Sequence, residues 1–68
     1  ILQRMMHQII EKFIKNKTPV RINDKTKKCV IKEIDELGIL VEYYKYNAVD
    51  LVYYTLHNIT KIKPVPED

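Results

Sequence analysis

The sequence predicts a mostly β protein in which one N-terminal α-helix precedes a strongly bent, five-stranded antiparallel sheet. Apolar residues recur at helical spacing over the first 14 positions, and no second such run follows Pro19. β-branched and aromatic residues then alternate in short stretches cut by polar turns. Two of these stretches, Ile39-Leu40-Val41 and Leu51-Val52-Tyr53-Tyr54, are apolar on both faces. A sheet this small buries both faces only by curling into a barrel or by meeting another subunit.

The helix rests on Leu2, Met5, Met6, Ile9, Ile10, Phe13 and Ile14, which form one apolar stripe. Gln3, Arg4, His7, Gln8, Glu11, Lys12 and Lys15 fall on the other face. Pro19 ends the helix, because its ring disfavours helical geometry at Thr18. Val20-Arg21-Ile22 alternates as a strand, and Asn23 to Lys27 is a polar turn. Cys29 to Asp35 resumes a strand, and Glu36-Leu37-Gly38 follows with the only glycine, a natural place for positive φ. Ile39 to Tyr46 and Val49 to Leu56 are strands divided at Asn47-Ala48. Ile59 to Lys63 is the last, stopped by Pro64 and Pro66. Residues 1–68 thus read as a single domain: a helix over 1–17, a small closed barrel over 18–63 and a tail over 64–68.

A 68-residue chain buries only about 60% of the surface its unfolded form exposes. Domains of that size usually need a staple or a partner. Cys29 is the only cysteine, so no internal disulfide is available. Oligomerisation is the expected source of extra stability, and the lone thiol suits a reducing, cytoplasmic setting. No apolar run approaches the roughly 20 residues of a membrane span, and no membrane partner is expected. The apolar N-terminus is interrupted by Arg4, His7 and Glu11, unlike a signal peptide. Neither a Gly-rich phosphate loop, metal-ligand spacing nor a Ser-His-Asp set is present. No enzyme activity, metal or cofactor is therefore expected.

Net charge is +3, unevenly spread: residues 1–32 carry nine Lys/Arg against two acids, and residues 33–68 three against seven. A +7 half beside a −4 half is the footprint of a basic face for nucleic acid, or of a solvated surface with no partner.

Four stretches carry a family resemblance: Ile10 to Val20, Ile34 to Val41, Val52-Tyr53-Tyr54, and His57 to Ile62. Together they resemble the helix end and first strand, the Sm signature, the fourth strand and the motif histidine of the Hfq family, bacterial Sm-like RNA chaperones. The resemblance covers nearly the whole chain and implies an Sm-like, SH3-type small barrel. It also implies a homo-oligomeric ring, a hexamer by family precedent, that binds single-stranded U-rich or A-rich RNA. The chain departs from the family at several points. It lacks the Asn-Gly turn between the first two strands, Asp24 and Lys25 standing there, and it has Leu56 and Thr55 where the motif has Lys and Tyr. Glu36 and Leu37 replace a Gln and an aromatic residue, and Ile14 and Lys15 replace an arginine pair.

On the matched positions, His57 lines the pore and contacts nucleotides, with Asn58 and Lys61 beside it; the alternative is a turn histidine without a ligand. Glu36 and Leu37 take the place of a base pocket; the competing reading, preferred for Leu37, is a core residue. Asp35 reads as structural, fixing the turn by bonding backbone N–H groups. Lys12, Lys15 and Lys17, with Arg4, offer a basic rim for phosphates, or a solvated helix face. Lys25, Lys27 and Lys28 are a second set of phosphate contacts, or charges that keep strand edges from aggregating. Five tyrosines crowd residues 43–54; Tyr53 and Tyr54, with Ile59 and Ile62, are assigned to a subunit interface. The functional expectation is a ring-forming RNA chaperone that acts in post-transcriptional regulation. The alternative is a barrel that serves only as a protein-interaction or assembly module.

Overall fold

The computed structural model describes residues 2–66, and residues 2–5 by their backbone alone. The expected stripe positions Leu2 and Met5 and the rim residue Arg4 therefore lie outside the described side chains, as do residues 67 and 68. One helix, α1 (Leu2–Asn16), leads into strands β1 (Pro19–Ile22), β2 (Cys29–Ile34), β3 (Gly38–Lys45), β4 (Ala48–Thr55) and β5 (Ile62–Pro64). A short 3₁₀ turn, Leu56–Asn58, separates β4 from β5. All strand pairs are antiparallel, in the order β4-β3-β2-β1-β5. The mostly β class, the leading helix and the five-stranded antiparallel sheet are as the sequence predicts.

The expected closure into a barrel does not occur within the chain. β4 and β5 lie at opposite edges and do not pair with each other; β5, three residues long, pairs with β1 alone. Side chains remote along the strands nonetheless meet on one face. Tyr43 pairs with Asp50 and Ile39 with Tyr54, so Tyr43 and Tyr54 lie four positions apart, about 13 Å along flat strands. Their hydroxyls meet at 2.7 Å across the concave face.

One bulge makes that concave face continuous. Strict alternation from Cys29 and Ile31 would turn Glu33 inward. The register between β2 and β3 shifts between Ile31 and Glu33 instead, so that Ile34 pairs with Ile39. Lys32 is the extra residue, and Ile34 rather than Glu33 packs against the core. That core joins Val20, Ile22, Cys29, Ile31, Ile39, Val41 and Tyr43 with Ile10 of α1 and Ile59. Among the described residues no polar or charged side chain is buried.

Three turns differ from their sequence reading. α1 ends at Asn16 because Lys17 is left-handed, at φ 52°. Thr18 N–H donates to Phe13 O at 3.0 Å and Lys17 N–H to Ile14 O at 3.2 Å, the paired bonds of a Schellman stop. Asn23 and Asp24 both adopt positive φ, at 54° and 60°, so the work of an Asn-Gly pair falls to Asn23-Asp24. Gly38 is not at positive φ. Its requirement is space, because a Cβ there would overlap the Tyr54 carbonyl oxygen and sit 2.9 Å from Tyr53 Cζ.

Residues 59–61 are not strand, contrary to expectation. The Asn23 side chain captures their backbone: Oδ1 accepts from Thr60 N–H at 2.7 Å and Lys61 N–H at 3.2 Å. Among the described residues no helix is long and apolar enough to cross a membrane.

Candidate nucleic-acid interface

Helical geometry decides which side of α1 meets the sheet. With Ile10 as the most buried residue, His7 lies roughly 60° to one side and Ile9 about 100° to the other. Ile10 is 2% exposed and Ile9 49%, and His7 is half-buried. The buried face is therefore rotated from the apolar stripe, drawing His7 in and turning Ile9 out. Met6, His7 and Ile10 form one wall of a cleft of about 260 Å³. Leu56, His57, Ile59 and Ile34 form the other. His57 thus faces a second histidine across an apolar floor, where the sequence had offered His57 alone. The signal that finds His7 is its 60° offset from Ile10, not its polarity.

Backbone bonds place His57. Leu56 N–H donates to Leu37 O at 2.8 Å, and Ile59 N–H to Leu56 O at 3.1 Å, which close the 3₁₀ turn onto the β2–β3 turn. Asn58 O accepts from Asn23 Nδ2 at 2.8 Å, while its own Nδ2 donates to Thr55 Oγ1 at 2.7 Å. Asn58 is thus a brace for the turn. The β2–β3 turn is itself fixed by Asp35, whose Oδ1 accepts from Leu37 N–H, Gly38 N–H and the Tyr53 hydroxyl, each at 2.8 Å. The Tyr53 hydroxyl first, then the two amides, hold the Asp35 carboxyl below its ordinary range. The expected backbone bonds of Asp35 are present.

Leu37 is 73% exposed at the apex of this turn, so it is not core. The turn's backbone is spent on Asp35 and Leu56, and its side chain projects outward beside the His57 element. Glu36 is exposed next to it. Lys61 is drawn elsewhere: its Nζ pairs with Asp24 at 3.0 Å, and this pairing lowers the Asp24 carboxyl. Lys12, Lys15 and Lys17 are all exposed on α1 and at its end. The structure therefore gathers His57, Leu37 and Glu36 at one end of the sheet, with the helix lysines on the solvent side of the covering helix.

The residues assigned to an interface divide. Tyr53 and Ile62 sit on the edge strands, with Tyr53 exposed and Ile62 half-buried. Tyr54 points into the concave face and Ile59 is in the chain's own core. Among the described residues no group of three or more His, Cys, Asp or Glu gathers as a metal site.

Comparison with protein-family models, curated proteins and solved structures gives no match for this chain.

Proposed function

We propose that the chain is a ring-forming protein of Hfq or Sm-like type that binds single-stranded RNA. The observation that carries this reading is the cleft between α1 and the 3₁₀ turn. There His7 and His57 supply hydrogen-bonding groups beside Met6 and Leu56, which are apolar covers for a base. Flat bases sit well against such surfaces, and imidazoles serve base edges or phosphates. Lys12, Lys15 and Lys17 add sequence-independent phosphate attraction from the helix. The two open edges support a ring, since β4 of one copy and β5 of the next each have one side free to pair. Symmetry then repeats a weak cleft, and linked weak sites bind a strand well together.

Fluorescence titration with short U-rich and A-rich RNAs over a salt series tests the proposal. Binding should weaken steeply with salt, and His57→Ala or His7→Ala should each cost roughly tenfold. Absence of binding at low salt would sink it. Duplex DNA in the same assay separates RNA from general nucleic-acid binding.

A second reading has its own observation. The outer face of the β3–β4 hairpin exposes Tyr44, Val49, Leu51 and Tyr53, an apolar strip that suits a protein contact. A module that only assembles or docks would keep its partner when His57 is replaced. It would bind no RNA.

A further inference from the structure

A second cavity, of about 520 Å³, opens toward the tip of the β3–β4 hairpin, against the turn over residues 25–28. Tyr43, Val52 and Tyr54 line it from the concave face, and Lys25, Lys27 and Lys45 stand around them. Asp50 on its rim and Thr55 before the 3₁₀ turn are five residues apart on β4, roughly 17 Å at strand rise. This cavity and the His57 cleft share no residue.

Its chemistry is specific. Lys25 Nζ donates to the Tyr54 hydroxyl at 2.8 Å and lies 5.0 Å from the ring centroid. Those two distances place the ammonium at the phenol's oxygen edge rather than over the ring centre. An ammonium carries three N–H donors, and two remain on Lys25 for another acceptor. The Tyr54 hydroxyl is 2.7 Å from that of Tyr43. Burial first, then the Tyr54 contact, keeps Tyr43 protonated well beyond the ordinary phenol range, so Tyr43 brings no negative charge. Lys45 is already matched by Asp50 at 2.8 Å. Among the described residues no carboxylate pairs with Lys25 or Lys27.

Two unmatched cations beside an apolar, ring-lined floor call for an anion attached to a flat apolar body. The volume lies in the range of small-ligand sites, about 300–1,000 Å³. We propose that this cavity binds a nucleoside phosphate, with its phosphate on Lys25 and Lys27 and its base against Tyr43, Val52 and Tyr54. The nucleotide comes either free or as one unit of a single strand. An adjoining groove of about 620 Å³ carrying Arg21, Lys28 and Tyr44 gives a strand room to continue. The proposal does not rest on RNA binding at the His57 cleft.

Amide NMR spectra of the full chain, titrated separately with AMP, UMP, inorganic phosphate and a short single-stranded oligonucleotide, test it. Saturable shifts should appear at residues 25–28, 43–45 and 52–54, at millimolar mononucleotide if the nucleotide is free. Inorganic phosphate should bind about tenfold more weakly, lacking the base. An oligonucleotide tighter than the mononucleotides identifies a strand as the source, and equal affinity identifies the free nucleotide. Lys27→Glu, a surface substitution, should weaken the shifts about tenfold with no change in the thermal melt. His57→Ala should leave them unchanged, so failure here and failure at the His57 cleft are distinguishable. The proposal is overturned if neither mononucleotide nor oligonucleotide shifts these residues. Phosphate binding as tightly as the nucleotide, or Lys27→Glu without effect, also overturns it.

Discussion

Asp35 concentrates three donors on one carboxylate oxygen and so ties the β2–β3 turn to β4 through Tyr53. Its carboxyl is lowered by those contacts, so the unfolded chain takes up the proton first as the solution is acidified. The stabilisation is present above the unfolded carboxylate value of about 3.9 and is lost as pH falls through the lower folded value. Thermal melts from neutral pH into acid should show the wild type losing stability in that window. Asp35→Asn should melt lower at neutral pH and change less on acidification, keeping the part of the slope that Asp24 supplies through Lys61. Equal acid slopes for the two proteins would refute this role. At Lys17 the relevant quantity is backbone strain, because a side chain in the left-handed region costs energy that glycine avoids. Lys17→Gly should stabilise the fold by about 0.5–1 kcal/mol after the entropy glycine adds to the unfolded chain. If Lys17 also touches a phosphate, the same variant should reduce the salt slope of RNA binding by about 0.7. Denaturant titration and the salt series read the two effects separately.

The segment between β4 and β5 is held from a distance, by a turn that precedes it by some 35 positions. Asn23 receives Thr60 N–H, the Thr60 hydroxyl and Lys61 N–H on one oxygen and donates to Asn58 O, while its own N–H reaches Lys61 O at 3.0 Å. Asn23→Ala removes the side-chain bonds and leaves alanine at positive φ. It should cost about 2 kcal/mol and weaken RNA binding at the His57 cleft without touching it. Urea melts and the RNA titration check both, and a variant as stable as the wild type would refute the bracing role. This brace was not legible in the sequence, where Asn23 is one polar residue in a polar turn. What was legible follows from local patterning: the helical spacing of α1, its end before Pro19, the alternation of β1, and the β-branched and aromatic runs of β3 and β4. What was missed depends on partners remote in sequence. The capture of residues 59–61 and the outward Leu37 follow from bonds made elsewhere, the Lys32 bulge from the register with β3, and hydrophobicity alone misplaces them. The same holds at the candidate site, since His57 was marked by resemblance while His7 needed the rotation of the helix. Lys25 and Tyr54, 29 positions apart, meet only in the folded sheet.

The whole molecule exposes 5568 Å², whereas a compact monomer of 8.1 kDa is expected to expose about 4,500 Å². The excess is roughly 1,000 Å², comparable to the roughly 800 Å² that each partner covers in a standard stable interface. It fits an open sheet whose two edges lie on different strands, so that one copy can offer β4 while the next offers β5. Head-to-tail pairing of that kind closes into a ring when the rotation allows. Leu51 provides the sharpest test, being 56% exposed on β4 and paired with Glu42 of β3. Within one chain, Leu51→Lys places opposite charges across the strand pair and should be neutral or slightly favourable to folding. Between chains it sets a lysine on an edge strand, a common way to block edge pairing. The variant should therefore keep its circular dichroism spectrum while losing assembly in native mass spectrometry, and its melt should lose the concentration dependence that assembly gives the wild type. A wild type that stays monomeric at tens of micromolar would remove the ring from the functional reading. An assembled Leu51→Lys would instead move the contact to another surface, with the exposed Ile9 side of α1 next to be tested by the same substitution.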